Sequence, residues 1–215
     1  MYTNRWARLS AVAVAGFAAV SMAACSNTSS GASTDKSSPS SMPQSSAPAM
    51  ESTAFGPGCA MTPKSASDPG SFQAMSQVPV ATAASGNKSL TTLVTAVKAA
   101  GLVNTLNTLP AATVFAPTNE AFAKLPPATL KAVLADKAML TKILTYHVVA
   151  GEKLTPEQLT AKPLTTVEKQ TVMVAGSGQD FTVNGNAKVV CGNVQTSNAT
   201  VYLIDSVLMP PAMKK

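Results

Sequence analysis

The chain has 215 residues, with 16 Lys and Arg against 10 Asp and Glu, which gives a net charge of +6 at pH 7. Arg5 and Arg8 are the only arginines, and every other cation is a lysine scattered along the chain. Nucleic-acid binders usually carry arginine on a clustered basic face. The composition therefore argues against a nucleic-acid partner.

The first 24 residues have the pattern of an export signal. Two basic residues precede an uncharged apolar run, about residues 11–24, that is too short to cross a hydrocarbon core of about 30 Å as a helix. The run ends in SMAAC, which resembles the bacterial lipoprotein cleavage box except that Met22 replaces the usual leucine. We predict a lipoprotein signal peptide at residues 1–24 and acylation of Cys25. An ordinary signal peptide is the alternative.

Acylation of Cys25 would anchor the protein firmly to the extracytoplasmic face of the cell membrane. A form released outside the cell is a second expectation. Residues 25–58 are rich in Ser, Thr, Pro, Ala and Gly and bury too little apolar surface to offset their ordering entropy. This predicts a disordered tether, whose hydroxyls next to prolines also favour O-glycosylation. The remaining residues, 59–215, have the size of one domain.

Three cysteines divide naturally once Cys25 is assigned to the lipid. Cys59 and Cys191 remain as a pair in an oxidising compartment, where thiols are readily oxidised. We predict a disulfide between them. Two buried free thiols are the alternative.

Helical patterns fill the first half of the domain. Residues 90–100 place apolar side chains at helical spacing, with Gly101 as a stop. The run TVFAPTNEAFAKLP predicts a short strand, a corner at its first proline, and a helix capped by Thr118. Residues 127–147 predict one or two further helices, with Asp136 as a cap between them.

The second half of the domain changes to short segments separated by turn residues. Asn184-Gly185 follows an alternating run and is a hairpin signal. Residues 201–208 carry apolar side chains at both odd and even positions, interrupted by Asp205 and Ser206, which predicts a strand buried on at least part of both faces. Helices first and strands afterwards predict an α+β domain.

Three motifs carry a family resemblance. TVFAPTNEAFAKLP resembles the first signature box of fasciclin-like domains, TYHVVAG their tyrosine-histidine motif, and NATVYLIDSVLMPP their second box. They stand in the right order within residues 69–211. With the lipoprotein box and the tether, the chain resembles mycobacterial surface lipoprotein antigens that carry a single fasciclin domain. The resemblance implies a β-sandwich or wedge with helices packed on it, and adhesion or interaction rather than catalysis.

The resemblance carries a family contact site only in part. In animal members an Asp-Ile pair is implicated in integrin contact, and here the matching residues are Asn193-Val194. The chain also has no Arg-Gly-Asp tripeptide. Tyr146 and His147 remain as the candidate interaction region.

The chain's one histidine, His147, has four possible roles: catalytic base, metal ligand, part of a contact surface, or structural residue of the core. It follows Leu140, Ile143 and Leu144 at helical spacing, on the apolar face. A base would need a nucleophile and an orienting carboxylate, and a metal would need ligands at a recognisable spacing. The sequence shows neither pattern. We therefore predict a buried imidazole hydrogen-bonded to the backbone or a neighbour, with no catalytic residue, metal or cofactor.

Two classes of function stay open. In the first, a lipid-anchored surface protein presents a monomeric domain to host receptors, matrix or neighbouring envelope components. In the second, the domain carries a small apolar ligand or lipid. A pocket of roughly several hundred Å³ lined by residues around 90–97 would favour the carrier. A filled core with an exposed apolar or lysine-rimmed patch would favour the interaction module.

Overall fold

The computed structural model describes residues 53–211. The helices in this range are α1 Phe72–Ser76, α2 Val80–Gly86, α3 Thr91–Ala100, α4 Val103–Thr108, α5 Asn119–Ala123, α6 Pro127–Ala135, α7 Lys137–Tyr146 and α8 Pro156–Leu159. The strands are β1 Ala112–Pro117, β2 Val148–Ala150, β3 Leu164–Thr165, β4 Thr171–Val172, β5 Val174–Ser177, β6 Asp180–Val183, β7 Ala187–Gln195 and β8 Ala199–Ile204. Short 3₁₀ turns occur at Pro57–Met61 and Lys88–Leu90.

The first predicted helix ends where the sequence placed its stop. α3 ends at Ala100, and Gly101 takes a left-handed φ of 74°, a conformation that glycine adopts without steric cost. The chain then continues as α4. None of the residues of α4 is fully buried, so this short helix lies at the surface of the domain.

Side-chain caps begin two of the helices that follow. The Asp136 carboxylate accepts hydrogen bonds from the backbone N–H groups of Ala138 and Met139 at 2.9 and 3.0 Å, and so separates α6 from α7. The Thr118 hydroxyl accepts from the N–H of Ala121 at 3.3 Å and caps α5. Both predicted caps are confirmed.

A mixed six-stranded sheet has the order β2-β1-β8-β7-β6-β5. β1 and β8 pair in parallel, with Ala112 opposite Ala199, and the other neighbours pair antiparallel. β3 and β4 form a separate two-stranded ribbon. Several helices pack on the larger sheet, which confirms the predicted α+β class.

Each face of the sheet has its own apolar core, because successive strand residues point to opposite faces. On the helical face, Val114, Val201 and Leu203 pack with residues of α3 and α7. On the other face, Phe115 and Tyr202 belong to a second cluster. All six residues of β1 and of β8 are buried. The last strand is therefore buried on both faces, as predicted.

The turn between β6 and β7 has the predicted hairpin geometry. Asn184 and Gly185 take φ values of 51° and 66°. A two-residue turn of the type that matches strand twist needs a positive φ at both positions, which Asn and Gly tolerate best. The Asn-Gly signal is thus confirmed.

The sheet takes in residues ahead of the domain boundary predicted at Cys59. The Phe55 backbone exchanges hydrogen bonds with that of Gly192 at 3.1 and 2.8 Å. The Phe55 ring packs against Phe181 and Tyr202, with centroids 5.5 and 6.4 Å away. The folded domain therefore includes Phe55.

Some predictions fall outside the described residues. They are the signal peptide at residues 1–24, the lipid-attachment site Cys25, the tether up to residue 52 and the chain end at 212–215. Within residues 53–211, no helix is both long enough and apolar enough to span a membrane.

Candidate functional site

His147 lies directly after α7 with its side chain buried, 2% exposed. Its Nδ1 is 2.7 Å from the carbonyl oxygen of Ile143, and its Nε2 is 3.0 Å from the backbone nitrogen of Leu208. Because a backbone N–H can only donate, Nε2 accepts, and the proton lies on Nδ1, which donates to Ile143. The ring thus joins the end of α7 to the segment after β8. The predicted structural role is confirmed.

Burial sets the charge of this ring. Desolvation lowers the pKa of the His147 imidazole from 6.5 to about 4, against the opposing effect of the hydrogen bond to Ile143. At neutral pH the ring is uncharged and both nitrogens are occupied, so it has no free lone pair for a general base or a metal ligand. Residues 53–211 contain no group of three or more His, Cys, Asp or Glu side chains that could hold a metal ion.

Tyr146 is equally internal, with 1% of its surface exposed. Its hydroxyl donates to the Thr171 carbonyl at 3.2 Å and accepts from the Asn184 amide at 2.9 Å. The Asn184 side-chain oxygen in turn accepts from the N–H of Met173 at 3.0 Å. The two side chains of the predicted interaction region, Tyr146 and His147, are thus both buried, and a contact surface near them stays a prediction. Buried side chains cannot touch a partner in this conformation. Their hydrogen bonds instead connect the end of α7 to segments that are distant in sequence.

Asn193 and Val194, which match the Asp-Ile pair of animal members, also have structural roles here. Asn193 lies at an irregularity in β7 with a left-handed φ of 58°, which Asn tolerates better than most residues. Its side-chain amide donates to the Thr53 hydroxyl at 2.7 Å. Val194 is buried against the helical face. Neither residue offers an exposed apolar contact.

Cys59 and Cys191 are joined by a disulfide, with Cα atoms 4.9 Å apart. Cys191 lies in β7 and is buried, while Cys59 lies in the turn Pro57–Met61. The bond holds the N-terminal segment of the domain on the sheet, across a sequence separation of 132 residues.

An apolar pocket lies between the sheet and helices α2, α3 and α4. Its walls include Leu93 and Val97 of α3, Leu106 of α4, and Val114 and Val201 of the central strands. The cavity has a volume of about 90 Å³. The pocket is in the place that the sequence predicted for a carrier, but its volume is smaller than the expected several hundred Å³.

The pocket presents hydrocarbon to whatever enters it. Among the described residues that line it there is no Asp, Glu, Lys or Arg. Several of its polar side chains bond elsewhere: Asn87 accepts from the N–H of Ser89, Thr196 pairs with the backbone of Ala199, and both His147 nitrogens are occupied. The lining therefore offers mainly apolar contacts to a ligand.

Asn198 positions two of the helices that form the pocket walls. Its side-chain oxygen accepts from the N–H of Val80 at 2.9 Å, at the start of α2. Its amide donates to the carbonyls of Leu106, Asn107 and Leu109 at 2.9, 3.3 and 3.1 Å, around the end of α4. The sequence alone gives no sign of this role, because an asparagine before a strand signals only a turn.

Asn198→Ala is expected to lower the free energy of unfolding by about 2–4 kcal/mol, because it leaves buried backbone groups without partners. Urea unfolding at pH 7 measures this. Asn186→Ala is the matched control, since Asn186 is exposed, and should change stability by about 0.5 kcal/mol or less. Equal effects from the two substitutions would contradict the assigned role.

Comparison with known proteins places the chain in a family. The fasciclin domain profile matches residues 88–210. The chain is 48% identical to the immunogenic protein MPB70 of Mycobacterium bovis over 171 residues, which cover 77% of this chain and 86% of that protein. It is 47% identical to the cell surface glycolipoprotein MPB83 of the same species over 163 residues, 73% of this chain and 72% of that protein. The chain belongs to the fasciclin family, which confirms the resemblance seen in its three motifs.

The fold is also similar to a solved structure, the FAS1 domain pair from the insect cell adhesion molecule fasciclin I. The TM-score is 0.56 at 17% sequence identity, over 65% of this chain and 53% of that chain. The chain thus spans about half the length of that structure. At this identity the likeness shows the fold alone, and it confirms the fasciclin-like α+β architecture.

Proposed function

We propose that the protein is a lipid-anchored surface protein of the cell envelope, whose fasciclin domain is an interaction module for host receptors, matrix or envelope components. The observation that supports this most is the 47% identity to a cell surface glycolipoprotein over 73% of the chain. The proposal includes no enzymatic step, since the chain's one histidine is neutral and fully hydrogen-bonded.

Anchoring through Cys25 is tested by expressing the full chain and its Cys25→Ser variant in a mycobacterial host. The wild-type protein should enter the detergent phase on phase separation, and the variant should stay in the aqueous phase or the medium, because acyl chains supply the membrane affinity. Asn27→Ala is the control and should behave as wild type. An unacylated N-terminal peptide in the wild-type protein would contradict the anchor. The intact mass of the same sample reports any O-glycosylation.

A surface next to the small ribbon is where we place the protein contact. This ribbon surface consists of Val167, Lys169 and Met173, which lie in one stretch around β3 and β4. Val167 and Met173 are 41% and 64% exposed, more than most apolar side chains of a folded domain. Lys169 is exposed between them in sequence. Exposed apolar side chains that are close to a lysine along the chain would suit a protein partner.

The binding test uses the chain from residue 25 onward with Cys25→Ser, immobilised and exposed to host-cell membranes and matrix proteins. Saturable binding is expected, and Met173→Asp should weaken it by about tenfold or more if that side chain is central to the contact. Met61→Asp is the matched control, because Met61 is similarly exposed, 58%, in the turn Pro57–Met61. Absence of saturable binding, or equal loss in both variants, would argue against the proposal.

A further inference from the structure

The pocket between the helices and the sheet leaves more empty space than a packed core normally does. Protein interiors contain few voids larger than a water molecule. The space of about 90 Å³ gives room for about six waters or more, at roughly 15 Å³ each. Apolar walls around such a space lose dispersion contacts as long as it stays empty. Filling the pocket with a ligand would therefore be energetically favourable.

Water would bind weakly in this space. A buried water needs two to four polar partners, and Asn87, Thr196 and His147 on the walls already bond to other parts of the chain. Every buried side-chain nitrogen and oxygen within residues 53–211 has a partner. A guest with its own polar groups would lose hydrogen bonds on entry. The chemistry of the lining selects hydrocarbon.

The small volume of the space and its partly exposed wall at α4 favour a flexible, narrow molecule. The walls come from α1 to α4, from β1, β7 and β8 and from the end of α7, so a small volume is spread over many elements. Val103 and Leu106 of α4 line the pocket and remain partly exposed. A small apolar space whose wall includes partly exposed side chains of α4 admits the end of a flexible chain more easily than a rigid ring system.

We propose that this pocket binds the end of one linear hydrocarbon chain, the acyl chain of a fatty acid or of a membrane lipid, with the rest of the chain and the head group outside beside α4. The pocket and the ribbon surface share Val167, which lines the pocket, whereas Lys169 and Met173 do not line it. The pocket does not depend on the anchor. It adds ligand binding to the surface role. Occupation would bury the half-exposed side chains of α4, and so stabilise that helix against the sheet.

The test uses the chain from residue 25 onward with Cys25→Ser, so that no acyl group of its own can compete. After removal of bound lipid, the protein is titrated with dansylundecanoic acid, whose fluorescence rises in an apolar site. Palmitic acid and a palmitoyl lysophospholipid serve as competitors. Displacement by the acid alone assigns a free fatty acid, and displacement by both assigns the acyl chain of either source.

Two variants locate the binding. Val97→Phe fills the pocket from α3, and Leu106→Gln makes its outer wall polar. Each should weaken probe binding by about tenfold or more, since several methylenes lose their buried contacts. Leu134→Gln is the matched control for the second variant, because Leu134 is a partly exposed helical leucine outside this pocket. It should bind as wild type.

The site is supported if one probe binds per chain in a saturable way and palmitic acid displaces it. Both pocket variants must also weaken the binding, and Leu134→Gln must not. Binding that is not saturable, not displaced by either competitor, or unchanged in both pocket variants overturns it. If Val97→Phe does not fold, Leu106→Gln alone decides, since a partly exposed leucine tolerates a polar substitute. Thermal unfolding of each variant without probe checks that the fold is intact.

Discussion

Removal of the Cys59–Cys191 disulfide is expected to lower the free energy of unfolding by up to about 5 kcal/mol. The bond closes a loop across a sequence separation of 132 residues, so it removes many conformations from the unfolded chain. The loss would be a large part of the roughly 5–15 kcal/mol that stabilises a typical domain. Urea unfolding of a Cys59→Ser/Cys191→Ser double variant measures it.

The control for this prediction is the wild-type chain under reducing conditions, which should lose about as much stability as the double variant. Peptide mapping without reduction checks the pairing directly, and should yield one linked fragment that contains both cysteines. Recovery of the two cysteines as free thiols would contradict the disulfide. Cys25→Ser, which leaves the pair intact, should not change stability.

Acidification from pH 6.5 to pH 4 is expected to cost the fold about 3 kcal/mol through His147 alone, at 1.36 kcal/mol per pKa unit. The unfolded imidazole takes up a proton near pH 6.5, whereas the folded one, with its pKa lowered to about 4, stays neutral. The unfolded state therefore binds more protons in this window, and stability falls as the pH falls. Above about pH 6.5 the imidazole is neutral in both states, so His147 causes no loss of stability there.

Proton NMR tests this prediction directly, because the chain's one histidine gives a single pair of ring resonances. They should titrate near pH 4 in the folded protein, and a midpoint near 6.5 would contradict the burial of the ring. Urea unfolding at several pH values gives the energetic counterpart. His147→Asn should be less stable than wild type at pH 7, and its stability should depend less on pH between 6.5 and 4.

Several elements were predictable because their signals are local. Gly101 ends α3, Asp136 separates α6 from α7, and Asn184-Gly185 turns β6 into β7. Each signal depends on backbone conformation or hydrogen bonds within a few residues, which the sequence displays directly. The apolar spacing around His147 likewise predicted its burial, because helical periodicity places it among Leu140, Ile143 and Leu144.

The contact role of Tyr146 could not be judged in the same way. A tyrosine at a helix end is compatible with a surface or a core, and the choice depends on what the rest of the chain brings to it. The partners of its hydroxyl, Thr171 and Asn184, lie 25 and 38 residues away in sequence. No pattern near Tyr146 announces them.

By itself, the sequence determined the order of helices and strands, the family motifs and the burial of His147. These depend on composition and on spacing within single elements. Only the tertiary structure decided the parallel pairing of β1 with β8, the bonds of Asn198 to α2 and α4, and the pocket between them. Their parts are far apart along the chain, and they meet only because burial of both sheet faces offsets the entropy of closing long loops.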